Sequence, residues 1–460
     1  MTDFADFRNK ANVLFINLDQ QRHDYLGYAG ASWVQTPNID RIAARGRVFR
    51  NCYSTSPVCA PARIGLASGL RPHRLGSMDN GSFLPAGTPT YYQQLRDHGY
   101  RVGCVGKLDL AKPDHFNGLH GDRPCTYAWG FTDPHECEGK MHAGQHAEAV
   151  GPYTRYLAEK GLLERFHQDY RDRFGGTTPD RWYRDSVLPA EDFEDTYIGR
   201  HAASWLRQAP TDYPWHYFVT FVGPHDPFDP PSCYADRYRH AEMPTPISSD
   251  LSQKPERIRR RAKDWTPEQI VGMQRQYCAA ITAIDDAVGE ILDALEASGQ
   301  ADRTYIVFSA DHGEMLCDHS QLTKHTPYEG AWRIPLIAAG PGIAPGTCDE
   351  LVELIDINPT ICDLAGVPSL QRIDARSFAP ILRGETDRHR DHVAIRMQGF
   401  DAIRQGQWKY ATTANDSAEL YHLGDDPDEC HNLIDQQPEK ARALQGLLHA
   451  TLLQGGVTVG

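Results

Sequence analysis

Four apolar runs constrain this chain more than any other feature: Asn12 to Leu18, Tyr100 to Val105, His216 to Phe221 and Thr304 to Ser309. Each is short, rich in β-branched and aromatic residues, and nearly continuous. A strand with one wet face alternates polar with apolar. A continuous run needs cover on both faces, which parallel sheets obtain from the helices connecting their strands. The runs also end alike, in Asp19-Gln20, Gly106-Lys107, Gly223-Pro224-His225-Asp226-Pro227 and Asp311-His312-Gly313-Glu314. Ligands of open parallel sheets bind in the crevice beyond the carboxyl ends of the strands. Acids there are well placed to hold a metal, and a histidine fixed in a proline turn is aimed at the same edge.

Helical signals lie between the runs. Thr36-Pro37 opens an amphipathic segment to Ala43, Tyr91 to His98 reads as a helix, and Tyr277 to Ala297 carries apolar residues at helical spacing. Ile334 to Ala338 is a further strand, and a helix starts at Asp356. Between Lys112 and Arg200 the pattern breaks into a Gly-, Pro-, His- and aromatic-rich excursion containing His115, His120, His135, His142 and His146, a segment suited to shaping specificity. From about Pro380 the pattern shifts to short strands at His392 to Ile395, Ala402 to Arg404 and Gln407 to Ala411, then a last helix from Glu439. The reading is an α/β domain over 1–380 and a smaller α+β unit over 381–460.

Composition excludes several functions. A formal charge of −14 argues against a general role on nucleic acid or anionic membrane, so an anionic substrate needs a local basic pocket. The first ten residues hold acids and no apolar core, and no apolar run reaches about 18 residues, so neither a signal peptide nor a membrane span is expected. Eleven cysteines without a spacing framework suit reduced thiols and a cytoplasmic chain.

The stretch Ser56 to Gly69 gathers Cys59, Pro61 and Arg63 within five residues. Pro61 suits a first helical turn, which puts Cys59 at a helix N-terminus facing unpaired N–H groups that favour an anion. Alone, Cys-x-Pro-x-Arg equally describes a buried thiol beside a helix-starting proline.

With Asp19, Lys107, His225, Asp311 and Lys324 in order around it, Cys59-x-Pro61-x-Arg63 resembles the type I sulfatases of the alkaline phosphatase superfamily, over nearly the whole chain. The resemblance implies a large mixed, mostly parallel sheet sandwiched by helices, with an antiparallel sheet in the C-terminal unit. It implies that Cys59 is oxidised to formylglycine by a formylglycine-generating enzyme, and that its hydrate attacks a sulfate ester. Asp19, Gln20, Asp311, His312 and the modified Cys59 are the implied holders of one divalent cation. Oxygen ligands favour Ca²⁺ or Mg²⁺ and the imidazole favours Mn²⁺, with Ca²⁺ narrowly first. Arg63, Lys107 and Lys324 are implied to bind ester oxygens, His225 to serve the leaving oxygen, and Asn80, Gln20 and Asp109 to face the substrate.

Two departures qualify this. Many sulfatases have Gly-Lys-x-His where this chain has Gly106-Lys107-Leu108-Asp109, so either Asp109 or a histidine such as His115 takes over the proton of the family histidine, or the step is handled differently. The Gln20 and His312 pair also occurs in relatives hydrolysing phosphonate monoesters and phosphodiesters, which is the alternative activity; a binding protein with an unmodified Cys59 is a further one. Parts of the N-terminal half resemble choline sulfatases. The expected substrate is a small-molecule or saccharide sulfate ester, with a homo-oligomer possible.

Overall fold

The computed structural model describes residues 10–176, 178 and 180–453. Apart from Lys10, the stretch on which the reading against a leader rests lies outside them. Among the described residues no helix is long and apolar enough to cross a membrane.

The main sheet has nine strands: β1 Asn12–Leu18, β2 Gly46–Tyr53, β3 Arg101–Gly106, β4 Asp133–Glu136, β5 Trp215–Thr220, β6 Thr304–Ala310, β7 Arg333–Ile334, β8 Leu336–Ala339 and β9 Gly346–Glu353. They run in the order β4-β3-β5-β1-β6-β8-β2-β7, with β9 beside β2. From β4 to β6 every pairing is parallel. β8 then runs antiparallel to both β6 and β2, so β2 points the same way as β6. The ends of β1, β2, β3, β5 and β6 therefore share one edge, and the chain leaves that edge toward Asp19, Cys59, Lys107, His225 and Asp311.

All of β1 and all of β5 are buried, as continuous apolar runs require. The helix Glu194–Arg207 lies against β3 and β5, and the long helix Pro267–Ala297 packs on it. That long helix starts at Pro267 rather than Tyr277. Its first turn, Pro267 to Gln269, is polar and carries no apolar signal, and a capping box of Thr266 and Gln269 sets the start. The strand read as Ile334 to Ala338 is split at Pro335, which has no N–H for the ladder.

The excursion after Lys112 is more ordered than its composition suggests. It contributes β4 to the sheet and the helices Lys140–Gln145, Pro152–Glu159, Leu163–Phe174 and Glu194–Arg207. β4 reads Asp-Pro-His-Glu, a short strand with no apolar signal.

In the C-terminal part, β10 His392–Met397, β11 Phe400–Gln405, β12 Trp408–Thr413 and β13 Glu419–His422 form an antiparallel meander. Period-two alternation gives it two apolar faces. Ala394, Ile403, Tyr410 and Leu420 pack under Leu444, Leu448 and Leu452 of the helix Pro438–Leu453. Val393, Ile395, Phe400 and Ala402 pack against Tyr53, Val58 and Trp332. At about 1.5–3 kcal/mol per fully buried large apolar side chain, this second face is a substantial anchor, and it braces the segment leading into Cys59.

Candidate active site

The turn between β2 and Cys59 is tied to the end of β6. Ser54 Oγ lies 2.6 Å from the Ser56 carbonyl and 2.5 Å from that of Asp311. Val58 is extended, and Cys59 is the first residue of the buried helix Cys59–Ser68. Val58 has no capping side chain, so the orphan amide of Ala60 donates instead to Asn80 Oδ1 at 3.1 Å. Holding Oδ1 there leaves the Asn80 amide NH₂ for the pocket it lines.

One turn on, Arg63 is 2 % exposed and binds four acceptors. Its Nε donates to Asp311 Oδ2 at 2.8 Å and its Nη2 to Asp19 Oδ2 at 3.1 Å. Nη1 reaches Thr220 Oγ1 at 2.6 Å and the carbonyl of Lys107. A planar guanidinium suits this fork; an ammonium does not. Lys107 adds a contact of 2.5 Å to Asp19 Oδ2. It is delivered by Gly106 at φ +97°, where a Cβ would fall 1.9 Å from the Thr220 carbonyl, so only glycine keeps β3 against β5 at this turn.

The second oxygens of the two acids face the thiol and an imidazole. Asp19 Oδ1 is 3.8 Å from both Cys59 Sγ and His312 Nε2, and Asp311 Oδ1 is 3.6 Å from His312 Nε2. His312 Nε2 lies 3.2 Å from Cys59 Sγ, while its Nδ1–H donates to the Gly313 carbonyl at 2.9 Å. That bond fixes the tautomer with the Nε2 lone pair turned into the cluster, as metal-binding histidines require. One ligand atom from each of Asp19, Cys59, Asp311 and His312 falls within 4.8 Å of the others, all buried. Two carboxylates, an imidazole and a sulfur-bearing side chain make a donor set that fits a divalent cation.

Lys324 stands opposite, 3.1 Å from Cys59 Sγ, 2.7 Å from Gln20 Oε1 and 2.6 Å from His225 Nε2. His225 Nδ1–H donates to the Asp226 carbonyl at 2.5 Å, leaving Nε2 as the nitrogen facing Lys324. Gln20 is placed less simply than the sequence implied. Its Oε1 accepts from Lys324, while its Nε2 donates to Asp226 Oδ1 at 3.0 Å and to Glu314. Asp109, at φ +54°, lies with Oδ2 3.3 Å from Lys107 Nζ and 2.7 Å from Lys112 Nζ.

Burial and Cys59 push the Asp19 carboxyl up, but Lys107, His225 and Arg63 outweigh them and hold it well below the usual carboxylate range. Burial likewise raises the Cys59 thiol, and Lys107, Lys324, Lys112 and His312 overcome that to bring it far below an ordinary cysteine. Burial lowers Lys324, yet Cys59, Asp19 and Asp226 keep it above its ordinary value and charged. The site is thus built to stabilise negative charge at position 59 and in front of it.

A pocket of about 380 Å³ opens from this cluster, lined among others by Asn80, Lys107, Asp109, His115, His225 and Lys324. Glu314 and Thr220 belong to the same network without having been singled out in the sequence. Glu314 closes the Asp-His-Gly-Glu segment after β6, and nothing in that spacing signals its use as an acceptor for Gln20. Thr220 closes an apolar strand and carries no signal. Lys140 is held 2.5 Å from Asp229 and donates to the carbonyls of His225 and Pro227, at 3.2 and 2.9 Å. It steadies the histidine turn from a region where composition had nothing to say about it.

Comparison with known proteins agrees with this architecture. The family model described as Sulfatase matches residues 11–367, and that described as N-sulphoglucosamine sulphohydrolase, C-terminal, matches residues 317–455. A choline-sulfatase of Rhizobium meliloti (strain 1021) is 30 % identical over 451 residues, covering 93 % of this chain and 83 % of the relative. An arylsulfatase of Clostridium perfringens (strain 13 / Type A) is 27 % identical over 463 residues, covering 94 % and 92 %. Among solved structures, the phosphonate monoester hydrolase of Agrobacterium radiobacter superposes with a TM-score of 0.80 at 23 % identity, over 97 % of this chain and 96 % of that one.

Proposed function

We propose a mechanism and a substrate class for this chain, which belongs to the sulfatase family and hydrolyses sulfate esters. The observation that carries the proposal is the convergence of Asp19, His312 and Lys324 on Cys59 Sγ at 3.8, 3.2 and 3.1 Å. Sγ stands where an oxygen of the formylglycine hydrate belongs, the modification being made by a formylglycine-generating enzyme. The hydrated aldehyde supplies two hydroxyls on one carbon, one to bond sulfur and one to release sulfate by collapse to the carbonyl. Asp19, Asp311, His312 and the modified residue 59, with Gln20 beside them, would hold one divalent cation, Ca²⁺ before Mn²⁺ or Mg²⁺. The cation supplies Lewis-acid stabilisation of oxyanion charge.

The remaining work falls to the chain's own side chains. Arg63 fixes Asp19 and Asp311 in one orientation, so that a single oxygen of each faces residue 59. Lys107 and Lys324 face the transferring sulfuryl group and stabilise charge on its equatorial oxygens. His225, held through Nδ1, accepts from the Lys324 ammonium at Nε2 over 2.6 Å; as the doubly protonated imidazolium, with substrate between it and Lys324, it gives the Nε2 proton to the leaving alcohol oxygen. To Asp109, paired with Lys107 and Lys112, we assign acceptance of the proton of the second hydroxyl. Asn80 orients the substrate through its free amide NH₂. We assign catalysis to 1–380 and bracing of the Cys59 segment to 381–460.

The alcohol is a small molecule or a sugar of a size the 380 Å³ pocket admits. The test is a matched series of aryl sulfate, aryl phosphonate monoester and aryl phosphodiester, with Cys59 conversion verified. A kcat/KM highest for the sulfate supports the reading. A kcat/KM highest for the phosphonate or the phosphodiester transfers the assignment to that chemistry.

A further inference from the structure

The pocket has a second group of ligating side chains at its outer end, which ester hydrolysis leaves unused. His115 follows β3 on a loop, His142 lies in the helix Lys140–Gln145, and His146 comes directly after that helix. One ring nitrogen of each lies within 4.8 Å of the other two. The rings meet edge-on or tilted rather than stacked, with centroids 5.3 Å apart for His115 with His142 and with His146, and 4.7 Å for His142 with His146.

We propose that His115, His142 and His146 form a second metal site, for a borderline divalent ion such as Zn²⁺, at the mouth of the active-site pocket. His146, the residue that caps the helix end, stands four positions after His142, one turn on, and the two rings come together there. His142 Nε2–H donates to the His115 carbonyl at 2.8 Å, so its Nδ1 presents a lone pair. A backbone carbonyl on the far nitrogen is the arrangement that orients imidazole ligands around a metal. An all-nitrogen set selects Zn²⁺, Co²⁺, Ni²⁺ or Cu²⁺ and is a poor host for Ca²⁺, whereas the Asp19 and Asp311 site is rich in oxygen. The two sites sort different ions. Three protein ligands also leave a coordination position open, and all three histidines line the pocket, so the ion can take an oxygen of the substrate's alcohol portion.

The test loads tag-free, metal-stripped full-length protein with Co²⁺ and follows d–d absorption together with metal stoichiometry. The expected result is nitrogen-ligand absorption that persists in Asp311→Asn. It is lost, with about a 100-fold or greater fall in Co²⁺ affinity, in His142→Ala and in His146→Ala. These histidines are partly exposed, so near-UV circular dichroism stays that of the parent. The proposal is overturned if the His142→Ala/His146→Ala double variant gives the parent's spectrum, or if Asp311→Asn abolishes all Co²⁺ binding. Neither result depends on ester hydrolysis, so this site and the sulfatase mechanism stand or fall separately.

Discussion

Lys324 Nζ lies 3.1 Å from Cys59 Sγ across 265 positions of sequence. The same ammonium touches Gln20 and His225, so one buried cation joins the end of β1, the turn after β5 and the start of the Cys59 helix. A charge this buried persists only among compensating anions, which makes its position a sign that negative charge belongs at residue 59.

Cys59→Ala is therefore expected to fold and to lose hydrolysis. The side chain is small, and removing Sγ deletes no partner on which the helix depends, since Asn80 caps it independently. Circular dichroism and turnover of an aryl sulfate check the two halves. Protein made with the converting enzyme gives a residue-59 peptide lighter by sulfur and two hydrogens less one oxygen. A peptide of unconverted mass from fully active protein would sink the assignment.

Arg63→Lys is expected to fail where a charge-conserving change would ordinarily be mild. Lysine keeps the charge but cannot span Asp19, Asp311, Thr220 and the Lys107 carbonyl together. Arg63→Ala leaves two buried carboxylates short of a partner and costs about 3–5 kcal/mol. Urea unfolding measures the loss, and the shortfall of the lysine variant should be a large part of it.

His225→Asn separates proton donation from binding. If Nε2 protonates the leaving oxygen, the variant loses about 10²–10⁴-fold on an alkyl sulfate, whose alkoxide leaves poorly. It loses far less on a nitrophenyl sulfate, whose phenolate leaves without help. Equal losses on both substrates would make His225 a binding residue only.

The positions that could be read from sequence alone are those where local pattern and chemistry coincide. Asp19, Lys107, His225 and Asp311 follow apolar runs, and a sheet covered on both faces leaves few places for such residues except its carboxyl edge. β2 was harder to see because its Arg47, Arg50 and Asn51 interrupt the apolar pattern, and β4 because an edge strand needs no apolar signal. The supporting shell was hidden for another reason. Thr220, Lys140 and Glu314 act through distances between remote segments, and no spacing along the chain encodes that Glu314 and Asp226 share the Gln20 amide.

Removing the divalent cation should abolish turnover and lower stability together. A ligand held only by the folded state at 100 times its Kd contributes about 2.7 kcal/mol. Chelation is expected to lower Tm, Ca²⁺ to restore both Tm and turnover, and Asp311→Asn to remove the response to Ca²⁺. A chelated protein with unchanged Tm and turnover would rule out a metal in this cluster.

Stability is expected to fall as pH drops from about 6.5 toward 3, through histidines buried in neutral form. His216 is the clearest case. It is fully buried, its Nδ1–H donates to the Val13 carbonyl at 3.2 Å, and Tyr91 Oη lies 3.3 Å from its Nε2. Burial lowers it to about 3, against a weaker upward pull from the Val13 carbonyl. A base depressed in the folded state stays neutral while the unfolded chain takes up a proton below about pH 6.5, so the unfolded state gains about 1.4 kcal/mol per pH unit from this one group. The loss is absent above pH 6.5 and complete near pH 3. His216→Gln should flatten the dependence of Tm on pH between 6.5 and 4 relative to the parent, at the cost of a lower Tm at pH 8 from imperfect filling of the site between Tyr91 and Tyr92. A slope unchanged by the substitution would assign the acid sensitivity to other groups.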